Sequence, residues 1–223
     1  MKRILFYSSV NSLELFKTQK FYQIDISILK DLGYDVLLSN RIFDSLLFWK
    51  YDILFSYFYR YSFFAALLAK CFGKKTYFTG GIDSLDSDYA SAFNYKIQAL
   101  FFKLCYWVAD SCIIVSQSDL KNIFKVSSLK KKLSYSEHVI NTKLFIADVP
   151  KEKIFTSIVW MGDEGNVVRK GVDKALQIFA ELKKIPEFVD YRFVIIGRKG
   201  EGEVLVRSII CLLYTSDAAD DLL

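Results

Sequence analysis

Seven short apolar runs, each closing on small or polar residues, constrain the fold of this chain more than any other feature. They are RILFYSS (3–9), YDVLLSN (34–40), YDILFSY (51–57), KTYFTGG (75–81), CIIVSQS (112–118), SIVWMGD (157–163) and RFVIIGR (192–198). Each is continuous rather than alternating, as strands covered on both faces read. Helical stretches separate them. LELFKTQKFYQIDISILKDLG ends at Gly33 and SFFAALLAKCFG at Gly73, each glycine a C-cap. YASAFNYKIQALFFKLCYWVAD is long and apolar, and GVDKALQIFAELKKI is stopped by Pro186. Alternation of this kind predicts an α/β fold, a parallel sheet with helices on both faces. Ligands of such sheets gather at the carboxyl ends of the strands. That rule selects residues 8–12, 56–60, 79–83, 116–118, 162–170 and 197–202.

A chain of 223 residues can bury one large core or two small ones. A boundary is expected near 140–155, where HVINTKLFIADVPKEK mixes polarity and carries Pro150, one of two prolines. The predicted division is 1–148 for a complete first domain and 149–210 for the first part of a second. With 52% apolar and 17% aromatic residues, the chain is not a disordered one. The longest apolar stretch is broken by Lys103 and Asp110, and MKRILFYSSV is too short for a signal peptide, so a cytoplasmic location is expected. The cysteines (Cys71, Cys105, Cys112, Cys211) form no CxxC pair and no ligand spacing. They are expected to be buried reduced thiols, with no metal.

The formal charge is +5, and leaving out the last thirteen residues, which hold three aspartates and no base, raises it to +8. That excess suits phosphate-bearing small molecules, anionic membrane surfaces or nucleic acid. LKKKL at 129–133 reads either as a solvated turn or as a membrane-contact patch. No recognisable nucleic-acid module is present.

Several motifs bear on chemistry. FYSSVNSLE, after the first predicted strand, has no glycine, which argues against a dinucleotide site, and no GxxxxGK[ST] loop occurs. FTGGIDSLDSD sets Gly80 and Gly81 after a strand, where a substrate could approach the backbone, and Asp83 where it could bond sugar hydroxyls. The same stretch also reads as a turn whose aspartates, Asp88 above all, cap the next helix. In NVVRKGVDKALQIF, Arg169 and Lys170 fall where a loop becomes a helix, an unfavourable place for cations unless an anion such as phosphate arrives. They also read as two solvated bases. His138 is the only histidine and lies beside Glu137 in the interdomain stretch.

Together these pieces resemble a glycosyltransferase of the family 4 (group 1) type, with its two-domain GT-B fold. ADSCIIVSQSDLKNI (109–123) is similar to the family's AD-x-ϕϕ-x-VS strand, and HVINTKLF (138–145) to its interdomain NGVDTxLF segment. GNVVRKGVDKALQIFAEL…YRFVIIGRKGEG (165–202) resembles its RKGϕDxLϕxA…FxϕϕGxG stretch, and TGGIDSLD its GG-x-D turn. The likeness runs from Met1 to about Ile210. It implies a Rossmann-like acceptor-side domain followed by part of a nucleotide-sugar domain. The implied reaction moves a sugar from a nucleotide-diphosphate donor to a glycan or lipid-linked acceptor in surface polysaccharide assembly. The donor is a substrate, and no cofactor or essential metal is implied.

Lys170 would contact the donor diphosphate, with Arg169 beside it, both offsetting charge on the leaving group. Gly197 would approach the nucleotide. Gly80, Gly81 and Asp83 would line the acceptor side of the cleft, with His138 and Asn141 in the interdomain segment. Peripheral contact with an anionic membrane at its inner face would suit a lipid-linked acceptor. The chain departs from the family in three places: Val139 replaces a glycine, VWMGDE lacks an arginine, and no histidine precedes His138. These departures keep open a non-catalytic binding or scaffold role in the same machinery.

The last thirteen residues, CLLYTSDAADDLL, resemble the conceptual translation of a transposase-based sequencing adapter. Residues 211–223 are accordingly expected to be foreign to the fold, with the family's E-x7-E region beyond the chain.

Overall fold

A computed structural model describes residues 1–87, 90–128, 130–140, 142 and 150–213. Asp88, Asn141 and the tail beyond Leu213 lie outside the described residues. The chain divides into two compact units, Met1–Leu144 and Phe145–Leu223.

The first unit runs β1 (Arg3–Ser8), α1 (Leu15–Thr18), α2 (Lys20–Asp31), β2 (Asp35–Ser39), β3 (Ile53–Tyr57), α3 (Ser62–Cys71), β4 (Lys75–Thr79), α4 (Ala92–Val108), β5 (Ser111–Ile114), α5 (Gln117–Val126) and β6 (Leu133–Tyr135). Its strands form one parallel sheet in the order β2-β1-β3-β4-β5-β6. Side chains leave β1 alternately to two cores, which is why its run is apolar throughout. Leu5 and Tyr7 join the core that α3 and α4 cover, while Phe6 packs with Phe16 and Tyr22 on the other face.

Gly33 and Gly73 do end α2 and α3 in the left-handed conformation, each within a backbone turn that closes on the last helical carbonyls. The expected helix before Gly33 is interrupted, because Gln19 is extended and separates α1 from α2. Leu133–Tyr135 pairs with β5 as a sixth strand that the lysine run disguised. That run is only partly solvated. Lys132 Nζ donates to the carbonyls of Tyr106 at 3.2 Å, Trp107 at 3.1 Å and Ala109 at 2.6 Å, a cation placed on the free carbonyls ending α4. Lys132→Met is expected to cost about 1.5–3 kcal/mol of stability in urea unfolding, the range for hydrogen bonds to a charged group.

The second unit runs β7 (Ile154–Ile158), α6 (Glu164–Arg169), α7 (Val172–Leu182), β8 (Arg192–Ile196) and α8 (Gly202–Leu213). Its two strands are parallel, with Ile154 opposite Arg192 and Ile158 opposite Ile196. The strand starts earlier than the apolar run suggested, and VWMGD is loop throughout. Val159 and Met161 of that loop are nonetheless buried in the unit's core with Val172, Leu176 and Phe179. Cys211–Leu213 continue α8 as an exposed last turn.

The cysteine expectation holds in part. Cys105 and Cys112 are buried free thiols, and burial pushes Cys112 up to about 12. Cys71 and Cys211 are free but exposed, a correction that follows from their places at helix ends. No helix among the described residues is long and apolar enough to cross a membrane.

Candidate functional site

The strand order reverses between β1 and β3, and their carboxyl ends therefore open the crevice where doubly wound sheets bind ligands. Ser8 ends β1 fully buried, its Oγ 2.7 Å from the Tyr22 hydroxyl of α2. Tyr57 ends β3, and its hydroxyl donates to Asp25 Oδ2 on the same helix. Burial raises the Asp25 carboxyl above its ordinary range, and the Tyr57 hydroxyl and the charge of His138 only partly oppose it. Asp25, Glu137 and His138 line a cavity of about 230 Å³ together with the apolar Phe55, Ile113 and Val115. His138 also lies 6.1 Å from the Phe21 ring.

Phe58, directly after β3, is the one non-glycine residue with positive φ among the described residues, at 69°. Its neighbours hold it there. Tyr57 is tied to Asp25 on one face of the sheet. Tyr59 donates to the Ile113 carbonyl at 2.9 Å on the other. Strain of this sort persists where its surroundings over-determine it, and such places cluster at functional sites.

Opposite Phe58 stands Gly80, and the Phe58 N–H donates to the Thr79 carbonyl at 2.8 Å. Gly80 has φ 106°, and an added Cβ would come within 3.1 Å of the Phe58 ring. The backbone conformation therefore favours glycine, and a side chain there would also have to push the Phe58 ring aside. Gly81 follows, and Ile82 N–H donates to Asp119 Oδ2 at 3.2 Å. Asp119 is buried at the start of α5, and burial raises its carboxyl, with Asp83 and Asp86 adding repulsion. Gly80, Gly81 and Asp83 thus form one loop with Asp119 behind it, and Asp83 stays exposed. No group of acids, histidines or cysteines among the described residues could hold a metal ion.

In the second unit, Asp163 caps α6 by accepting from Asn166 N–H at 2.7 Å. Residues read as a loop before Arg169 are therefore helical. Arg169 is the last residue of α6 and Lys170 its C-cap, both exposed. The cations thus meet the carboxyl end of α6, which favours them, and at the same time stand directly ahead of Gly171, the N-cap of α7, the helix start that the sequence led one to expect there. Gly197 lies at the carboxyl end of β8 against the loop after β7. A Cβ there would fall far inside contact with the Val159 carbonyl oxygen, so this glycine answers first to loop packing. Gly202 packs beside Asp163 at the other end of α6 from Lys170, about 10 Å along the helix at about 1.5 Å per residue.

The raised Asp25 carboxyl carries a pH consequence. A carboxyl whose folded value exceeds its unfolded value favours the folded state in acid, and that advantage is lost as pH rises through the folded value. Asp25→Asn keeps an acceptor for Tyr57 and removes the half-buried charge. It is expected to stabilise the protein at pH 7.5 and to have no such effect below the ordinary carboxylate range. Urea midpoints at the two pH values test this; an equal shift at both would refute it.

No family model matches the sequence, and no curated protein is similar to it in sequence. Solved structures are similar in fold. Anabaena Alr3699/HepE in complex with UDP and glucose superposes with a TM-score of 0.61 at 11% identity, over 96% of this chain and 66% of that one. The same protein with UDP gives a TM-score of 0.55 over the same shares. TarM gives 0.49 at 13% identity, over 71% of this chain and 30% of its own. The fold is thus α/β of the GT-B type, a six-stranded parallel sheet with a smaller second sheet. The chain spans 66% or less of these structures.

Proposed function

We propose that the chain belongs to a glycosyltransferase that takes a sugar from a nucleotide-diphosphate donor and passes it to a glycan or lipid-linked acceptor in surface polysaccharide assembly. The observation that carries this reading is the succession of two parallel α/β units in a fold shared with a structure solved with UDP and glucose. In this reading the second unit binds the donor. Lys170 meets the diphosphate, Arg169 supports it, and the exposed loop after Gly197 lies against the nucleotide. The Gly80–Gly81 loop and Asp83 face the acceptor.

Lys170 suits this role because it is exposed at a helix end and forms no ion pair among the described residues. A diphosphate would gain a charge-assisted bond there, worth about 1.5–3 kcal/mol. Titration calorimetry of the full chain with UDP and GDP sugars is expected to show saturable binding. Lys170→Ala is expected to weaken it about tenfold or more. No binding at millimolar nucleotide sugar would sink the donor reading. Binding without transfer, in a protein that includes the E-x7-E region, would assign the non-catalytic role instead.

A further inference from the structure

Helix α4 has two faces of different character. Gln98, Phe102, Cys105 and Tyr106 are buried in the first unit. On the opposite side Phe93, Lys96, Leu100, Lys103 and Trp107 recur at spacings of three and four residues. All five are exposed, Phe93 at 73%, Leu100 at 56% and Trp107 at 70%. At 100° per residue they share an arc about 80° wide and about 21 Å long. A solvated helix face would not ordinarily hold a phenylalanine and a tryptophan this exposed.

The charges are one-sided. Helix α4 contains no acidic residue, and neither Lys96 nor Lys103 forms an ion pair among the described residues. The basic run extends the patch, because Lys132 is fastened to the carbonyls of Tyr106 and Trp107 and brings Lys130 and Lys131 to the same helix end. Lys130 stays exposed, its Nζ 4.7 Å from the Phe124 ring centre. The nearest acid in sequence, Asp110, is paired with Lys70 at 2.9 Å.

We infer that this face of α4 docks the protein on an anionic lipid bilayer. Phe93, Leu100 and Trp107 enter the headgroup–acyl boundary, and the lysines remain among lipid phosphates. Interleaved apolar and basic side chains are what an interfacial helix requires, aromatic rings for the boundary and cations for the surface potential. A protein partner with an acidic groove would meet the lysines but leave the length of the apolar stripe unexplained. The inference does not depend on the sugar-transfer reading.

Co-sedimentation of the full chain with vesicles tests it. Binding is expected to phosphatidylcholine vesicles containing one-third phosphatidylglycerol, to fall with added salt, and to be negligible with phosphatidylcholine alone. Lys96→Glu with Lys103→Glu is expected to lower partitioning about thirtyfold or more. Phe93→Ser with Trp107→Ser is expected to abolish it. All four positions are exposed, so circular dichroism and melting should match the parent. Absence of vesicle binding, or binding by either variant equal to that of the parent, overturns the inference. So does dimerisation in sedimentation equilibrium that the same substitutions disperse without any vesicle binding, which would make the face a contact between copies.

Discussion

Gly197→Ala is expected to leave the second unit unfolded at room temperature. The added methyl would overlap the Val159 carbonyl oxygen and stand 2.7 Å from its carbon, both backbone atoms that no rotamer change can move. The two segments are drawn together by Val159 N–H on the Ile196 carbonyl at 2.9 Å and Met161 N–H on the Arg198 carbonyl at 3.0 Å. Relieving the overlap breaks those bonds and lifts Val159 and Met161 from a core built on only two strands. A loss above about 4 kcal/mol follows, a large part of a small domain's stability. Trp160 is the only tryptophan of that unit, so its fluorescence, in a background with Trp49 and Trp107 replaced by Phe, reports urea unfolding there. Gly33→Ala provides the contrast, since nothing lies within 4 Å of its Cβ position and only the positive φ opposes it. Its expected cost is about 1 kcal/mol. Equal effects at the two glycines would remove the steric argument.

Phe6→Ala is expected to cost the first unit about 3–5 kcal/mol, the range for emptying an aromatic site in a close-packed core. Phe6 is fully buried, with ring centres of Phe55 and Tyr57 at 5.5 Å, Phe16 at 5.7 Å and Tyr22 at 6.1 Å. The cavity would also loosen the two tyrosines that reach Ser8 and Asp25, so the damage extends to the crevice. Tyr57→Phe keeps the ring and loses one hydrogen bond to a half-buried carboxylate. It should cost about 1–3 kcal/mol, less than Phe6→Ala. Urea midpoints for the two variants decide the order, and the reverse order would place the hydrogen bond above the packing.

The architecture was legible because two-sided burial writes itself locally. β1 through β5 and β8 each fall on an apolar run, and the α/β class follows from their alternation with helices. What escaped has particular causes. β6 is three residues long behind three lysines, and the lysine that obscured it is engaged with the end of α4. Helix α6 is six residues long and opens with Asp163, a cap residue within a glycine-spaced stretch that reads equally as loop. The stretch before Gly33 has helical composition throughout, so nothing marks the extended Gln19.

The candidate site was legible only where glycine marked it. Gly80 and Gly81 carried a signal, while the pairing of Asp25 with Tyr57 spans thirty-two positions and has none. Phe58 gave none either, since its left-handed backbone is imposed by its anchored neighbours. Lys170 was recognisable as a basic residue just ahead of a helix, now α7, but that a second helix, α6, also ends there depends on the cap at Asp163.

The place of β1 in the sheet has a consequence for how the protein is made. β1 leaves the ribosome before both strands that flank it, and its second neighbour is complete only at Tyr57. Synthesis at about 5–20 residues per second keeps Ile4, Leu5, Phe6 and Tyr7 without their full setting for roughly 3–10 s. These are among the most deeply buried side chains of the finished protein. For that interval the nascent chain presents an apolar strand without its neighbours, a natural substrate for chaperones stationed at the exit tunnel.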